Sequence, residues 1–279
     1  MPLCTLHLLA LHATTPNSVS TFLSTLKATD ISPLVVSRVI RWIILPYKLS
    51  TEHLLARNIH WDLLLILPST DALPLDLTNL IEHHWSVTAG VPSRLVNDFA
   101  SKNNKLLHPD PQAVPALQQN VNQKTTQSSQ SLELSEELNT WIQSFVNSDS
   151  KEAKGAVSMF NLLAFNPGMK EEYLKYGTAF ARSIGSRHGG NAKIVGNVTH
   201  VNRESTNRTS TNSTGNDDWD EIALAHYPSI LHFRDMLASE KYQAVNKRHR
   251  VPSLKDTCIL MTSEIAVEEL EEGMGKARL

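Results

Sequence analysis

Several strand-like runs of this chain are apolar on consecutive positions, not on alternate ones. In LCTLHLLAL (3–11), Leu6, Leu8 and Ala10 would share one face of a strand while Leu9 and Leu11 share the other, and Leu63–Leu67 (LLLIL) is apolar throughout. Side chains alternate across a strand, so such runs describe strands buried on both faces. That is the strongest constraint in the sequence, because any sheet built from them needs cover on two sides.

The elements around these runs fall into two sets. In the first, LCTLHLLAL is followed by a helix opened at Thr15-Pro16-Asn17 and running to Lys27, with Val19, Phe22, Leu23 and Leu26 at helical spacing. SRVIRWIILP then reads as a strand ended by Pro46, Trp61 to Leu67 as a third strand, and Asp76 to Thr88 as a second helix with Leu77, Leu80, Ile81, His84 and Trp85 on one stripe. A short helical turn, SRLVNDFA, follows Pro92, and the order is β-α-β-β-α. Residues 101–131 change character. They are rich in Gln, Asn, Ser and Pro, too poor in apolar surface to offset the entropy of ordering, and read as a linker. LSEELNTWIQSFVNS predicts an amphipathic helix carrying Leu134, Leu138, Trp141, Ile142 and Phe145, with Ser131 and Ser135 as candidate caps and its own domain as the expected docking place.

From near Gly155 the second set gives VSMFNLLAFN as a strand, a long helix closed by Gly189 and Gly190, NAKIVGNVTHV and WDEIALAHY as strands, a helix from Ser229 with a break near Ser239, and TCILMTSEI as a last strand. The polar excursion NRESTNRTSTNSTGND separates its second and third strands and is expected to be disordered. The order is β-α-β-β-α-β. LHLLALH (6–12) matches FNLLAFN (160–166) at an offset of 154, and Trp61-Asp62 matches Trp219-Asp220 at an offset of 158. Matching order with matching spacing reads as a duplication. A β-α-β-β-α-β unit is ferredoxin-like, with both helices on one face of an antiparallel sheet. The uncovered face then has to meet the sheet of the other repeat. The expected fold is α+β, two ferredoxin-like repeats paired within one chain as a dimeric α+β barrel. The segments expected are a degenerate repeat at 1–100, a linker and amphipathic helix at 101–150, a second repeat at 151–266 and an acidic tail at 267–279.

Composition narrows the function classes. A net charge of −2 gives no reason to expect a polyanion, and the cluster Lys247, Arg248 and Arg250 beside a helix end reads as a cap, so no nucleic-acid partner is expected. No apolar run approaches the roughly 18 residues that span a bilayer, so no membrane partner is expected. Cys4 and Cys258 lack metal spacing and cannot form a disulfide framework. MPLCTLHLLALHA lacks a basic leader, so the Asn-X-Ser/Thr triplets at Asn197, Asn207 and Asn212 carry no weight, and a cytoplasmic location is expected. The helical zinc motif, GxSxG, Walker and CxxC patterns are absent, and neither metal nor cofactor is expected.

The second half, from FNLLAFNPGMKEEYLKYG through WDEIALAHYPSILHFRDMLASEKYQAVNKRHR to KDTCILMTSEI, resembles the dimeric α+β barrel superfamily, and within it the family called domain of unknown function 1330. Tyr227-Pro228-Ser229, Phe233, Tyr242-Gln243 and the basic cluster at 247–250 sit at that family's pattern, over roughly residues 157–265. The resemblance implies two sheets paired into a barrel with a cleft. Its distant members include cofactor-independent monooxygenases, muconolactone-type isomerases and haem proteins, so it implies no single activity. It also implies that the aromatic before Pro-Ser packs under the helices, leaving His226 to point into the cleft. His226 is then the expected acid/base group, since an imidazole titrates near neutrality. His7 and Asn161, aligned polar interruptions of apolar strands, together with Arg41 and Tyr242, are the expected ligand-contact residues of an inner cavity. The expected partner is a small apolar or aromatic molecule of unknown identity. Further homodimerisation is open, and a sealed, non-catalytic interaction module is the competing reading.

Overall fold

The computed structural model describes residues 1–118, 125–205 and 218–276. The first half runs β1 (Leu3–Leu11), α1 (Ser18–Lys27), β2 (Val35–Ile44), β3 (Leu63–Leu67), α2 (Leu75–Thr78) and β4 (Ile81–Gly90). The short helices α3 (Ser93–Val96), α4 (Phe99–Leu107), α5 (Glu136–Val146) and α6 (Lys151–Lys154) connect it to the second half. That half runs β5 (Val157–Phe165), α7 (Lys170–Ala179), α8 (Gly185–His188), β6 (Asn191–Val201), β7 (Glu204–Ser205), β8 (Glu221–Tyr227), α9 (Ile230–Ala238), α10 (Glu240–Val245), β9 (Leu254–Ser263) and α11 (Ile265–Lys276).

The expected helix over 76–88 is corrected. Only Leu75–Thr78 is helical, and Ile81–Gly90 is a strand paired along the whole of β1. Trp85, Val87 and Ala89 recur with period two and are all buried in one cluster, so strand periodicity and an available partner edge outweigh the helical spacing of Leu77, Leu80 and Ile81. With β4 in place, both halves have the order β-α-β-β-α-β.

Around the sheet the strands follow β4-β1-β3-β2-β9-β5-β8-β6, and β4 pairs with β6 to close the circuit. Each half therefore contributes its fourth, first, third and second strands in that order. Two antiparallel seams join them. At one, Arg38 to Ile44 of β2 lie against Ser263 to Ile259 of β9, and at the other Val87 to Gly90 of β4 lie against Val201 to Asn197 of β6.

Closure gives both faces of the strands something to bury against. Leu6, Leu8, Trp85, Phe160, Leu224 and Leu260, drawn from both halves, belong to one cluster that occupies the barrel interior, together with Trp61 and Trp219. Outside, Leu9, Leu11, Leu63 and Leu65 pack with Phe22 and Leu26 of α1 and Leu77 of α2. Met159, Leu163, Ile259 and Met261 pack with residues of α5, α7, α9 and α10. At roughly 25 cal/mol per Å² of apolar surface removed from water, this double burial is the main source of stability.

The two Trp-Asp pairs do the same thing in each half. Asp62 Oδ2 accepts from the Leu11 amide at 2.7 Å, and Asp220 Oδ2 accepts from the Phe165 amide at 2.8 Å. Their own amides donate to Leu9 and Leu163, and their carbonyls accept from Val39 and Val198. Each carboxylate thus ties the start of a third strand to the end of a first strand.

Residues expected to form a linker contribute structure. α4 places Phe99 in the interior cluster and Asn103 against Glu264, which follows β9. Asn103 Nδ2 donates to Glu264 Oε2 at 2.6 Å, Lys193 Nζ donates to Asn103 Oδ1 at 2.9 Å, and Lys193 also pairs directly with Glu264. Three buried polar groups satisfy one another and hold α4 over one end of the barrel. Single apolar residues plus a satisfied polar triad were enough to order a segment whose overall composition is polar. Residues 119–124 of that segment lie outside the described residues, as do 206–217 of the polar excursion, including Asn207 and Asn212. The expected acidic tail is largely helix: α11 buries Ala266 and Val267 and pairs Glu271 with Lys27 and Glu272 with Lys151. Among the smaller expectations, Ser135 caps α5 through the Leu138 amide, Trp141 stacks on Phe145 over its own chain, and Ser239 separates α9 from α10. No helix among the described residues is long and apolar enough to cross a membrane.

A hydrogen bond to a charged acceptor contributes about 1.5–3 kcal/mol. Asp62→Ala and Asp220→Ala are each expected to lower unfolding free energy by about that amount, with similar values for the two in urea titrations. A clearly unequal pair of losses would contradict equivalent roles.

Candidate functional site

Strand parity decides which side chains meet. In β8, Ile222 and Leu224 lie in the interior cluster, whereas Ala225 and Tyr227 belong to the cluster under the helices. His226 has interior parity, opposite Ser158 of β5 and Asn191 of β6, and is 1% exposed. Burial pushes its pKa down to about 3, and the charges of Lys193 and His232 push in the same direction. Its Nδ1 has no hydrogen-bond partner. A neutral, weakly basic imidazole enclosed in a packed interior has no proton to give near pH 7 and little pull on one. The expected acid/base role therefore does not fit the environment in which His226 sits.

The expected inner cavity does not gather the other residues either, because parity turns them outward. In β1 and β5 the interior positions are Leu6, Leu8, Phe160 and Leu162, so His7 and Asn161 face the helix layer. His7 Nδ1 lies 2.8 Å from His84 Nε2 of β4, and burial, with His84 and Arg203 nearby, pushes its pKa to about 3. Arg41 makes its bidentate carboxylate contact with the chain's own Glu137, at 3.2–3.3 Å, and lies 4.5 Å over the Trp141 ring. Tyr242 is buried under the helices, its hydroxyl 3.3 Å from that of Tyr176. Of the five residues, only His226 points inward.

Asn161 and Tyr242 nevertheless belong to one face, and that face holds the better candidate site. β5 and β8 are inner strands of the second half, yet Asn161, Ala223 and Ala225 are only half-buried, as are Ala192 and Val195 beside them on β6. The helices leave this strip of sheet incompletely covered. Small side chains at Ala223 and Ala225 lower its floor, and Asn161 is its polar point. Asn161 Nδ2 donates to the Met159 carbonyl at 2.8 Å and weakly to Ala223 at 3.4 Å, which directs its Oδ1 away from the backbone.

Aromatic groups of α7 and the turn after it flank this face. Tyr173, Tyr176 and Phe180 are spaced by three and four residues, one stripe of a helix, and each keeps 8% exposure. Their rings form a chain, Phe165 to Tyr173 at 5.0 Å, Tyr173 to Tyr176 at 5.4 Å and Tyr176 to Phe180 at 6.3 Å. Phe180 and Tyr227 close on Gly190, where a Cβ would come within 2.9 Å of one ring and 3.0 Å of the other. Arg250, 2% exposed, donates to Thr257 Oγ1 and lies near the phenols. Burial raises the pKa of Tyr173, Tyr176, Tyr227 and Tyr242 while Arg250 opposes the rise, so the phenols stay protonated as neutral donors. Lys170 stands at the other end, donating to Asn197 Oδ1 at 2.6 Å, 3.7 Å from Glu221. The Tyr173–Tyr176–Phe180 stripe and the alternating alanines of β8 are both legible in the sequence, as helical and strand spacing. No group of three or more His, Cys, Asp or Glu capable of holding a metal occurs among the described residues.

No protein-family model matches the chain, so membership of domain of unknown function 1330 is not supported, and no curated protein matches it. Solved structures do. A protein of unknown function from Rhodopseudomonas palustris is 20% identical, covering 46% of this chain and 92% of its own, with a TM-score of 0.33. Candidate monooxygenases from Fusobacterium nucleatum and Lactobacillus acidophilus are 6% and 7% identical. They cover 94% and 95% of this chain and 92% and 94% of their own, with TM-scores of 0.44 and 0.41.

His7 and His226 have folded-state pKa values near 3, below the ordinary 6.5. Between those values the unfolded chain binds protons that the folded chain does not, so stability falls as pH drops through that window. Urea unfolding at pH 6.5, 5.5 and 4.5 is expected to show this loss, and His226→Gln and His7→Gln are each expected to flatten the slope. An unchanged slope in both variants would mean that neither imidazole is held neutral.

Proposed function

We propose that this protein binds a small apolar or aromatic molecule in the strip between the β5–β8–β6 face and α7. The observation that carries the reading is the partial exposure of Asn161, Ala223 and Ala225 in the middle of a sheet face that is otherwise closed by helices. An aromatic ligand would lie over the alanines, edge-on or offset to Tyr173, Tyr176 and Phe180, with Asn161 Oδ1 as an acceptor and phenol hydroxyls as donors. This set of groups suits neutral, ring-bearing molecules. The finer expectation, a cofactor-independent monooxygenase- or isomerase-like reaction, would have to run at this face and without His226, which is across the sheet.

One observation favours the competing reading. The barrel interior is occupied by side chains of both halves, as a sealed interaction module requires. A sealed interior and an external groove are compatible, so the groove is what decides between the two.

Titration with the neutral fluorophore N-phenyl-1-naphthylamine tests this. Saturable enhancement is expected for the wild-type chain and for His226→Gln. Ala223→Phe and Ala225→Leu, which raise the floor of the strip, are expected to weaken binding at least tenfold while melting temperature shows that the fold persists. Enhancement that is absent in the wild type, or unaltered in folded floor variants, would reject the groove and favour the sealed module.

A further inference from the structure

A cavity of about 380 Å³ lies where α3 and α4 meet the start of β6. Leu95, Phe99 and Leu106 give it an apolar wall. Arg94, Lys102 and Lys105 stand around that wall, Lys193 and Asn103 lie behind it, and no carboxylate-bearing residue is among those lining it. Lys193 is balanced by Glu264 within the buried triad. The remaining three cations are different. Lys102 Nζ donates to the backbone carbonyls of Asn97 at 2.8 Å and Arg94 at 3.1 Å, which fixes an ammonium at the rim without neutralising it. Arg94 and Lys105 are exposed, and neither has an ion-pair partner among the described residues.

We infer that this cavity binds an organic monoanion with an apolar body, such as a medium-chain carboxylate. A carboxylate reaches Arg94 as a bidentate pair, with Lys105 and Lys102 adding to the local positive potential, while the chain lies along Leu95, Phe99 and Leu106. Volume and polarity both contribute to this choice. The cavity falls within the range of small-molecule sites. A bare inorganic anion would leave the apolar wall wet, and a neutral amphiphile would leave the cations unused. The location adds a reason for rigidity, because the triad of Asn103, Lys193 and Glu264 holds α4 against the barrel whether or not a ligand is present. This site is separate from the strip beside α7. It shares no residue with it and takes the opposite class of ligand.

Isothermal titration of the full chain with octanoate, octanol and inorganic phosphate tests the inference. Octanoate is expected to bind saturably, and octanol and phosphate at least tenfold more weakly. Arg94→Gln with Lys105→Gln is expected to weaken octanoate at least tenfold, and raising the salt concentration should weaken it in the wild type, as an ion contact at a partly exposed site requires. Ala223→Phe, in the other groove, is expected to leave octanoate affinity unchanged. The inference is overturned if octanol matches octanoate, if phosphate does, if the double variant binds octanoate as tightly as wild type, or if no saturable heat appears. Loss of octanoate binding in Ala223→Phe would place the anion in the α7 strip and overturn this site while leaving the strip intact.

Discussion

Two carboxylates set the register on which this barrel depends. Strands that are apolar on both faces carry little information about which face should point where, because a slip of one residue exchanges one apolar set for another. Asp62 and Asp220 remove that ambiguity. Each accepts the amide at the end of a first strand, Leu11 or Phe165, and its own amide reaches back to the same strand. With the first and third strands locked, the second follows through Val39 and Val198. The seams β2–β9 and β4–β6 then complete the circuit.

That register has consequences for chemistry. It commits Trp85, Trp219, Phe160 and Leu260 to the interior, and these bulky groups leave the barrel a core in place of a reaction chamber. A polar group caught on the inner face, such as His226, is held neutral by desolvation. The partly exposed polar groups lie outside: Asn161 on the outer sheet face, and Arg94, Lys102 and Lys105 around the apolar wall under α4. The two halves differ on this outer face. The strand position that carries Asn161 in the second half carries His7 in the first, and His7 is closed off by His84 and a buried leucine layer.

Much of the architecture was legible in the residues. The double-sided apolar runs called for a sheet covered on both faces, the repeated order named the ferredoxin-like unit, and of the two candidate caps Ser135 starts a helix, while Ser239 breaks one as expected. The errors have particular physical causes. Ile81–Gly90 carries both a helical and a strand period, and only the free edge of β1 selects the strand. Residues 101–107, read as the start of a linker, are polar on average, but average composition is blind to an Asn103 satisfied by Lys193 and Glu264.

By itself, then, the sequence determined most of the element types, their order outside residues 76–107 and the matching Trp-Asp anchors, because these follow from local periodicity and from chemistry that repeats along the chain. Only the tertiary structure decided which face of each strand is inside. That choice is made by the partner half across two seams, between residues such as Arg38 and Ser263 that lie far apart in the chain. The same closure sent Asn161 to the outer face, Tyr242 to the core beneath the helices, His226 to a dry interior and Arg41 to its own Glu137. A strand's alternation fixes which side chains share a face, but the identity of that face is set by what packs against it.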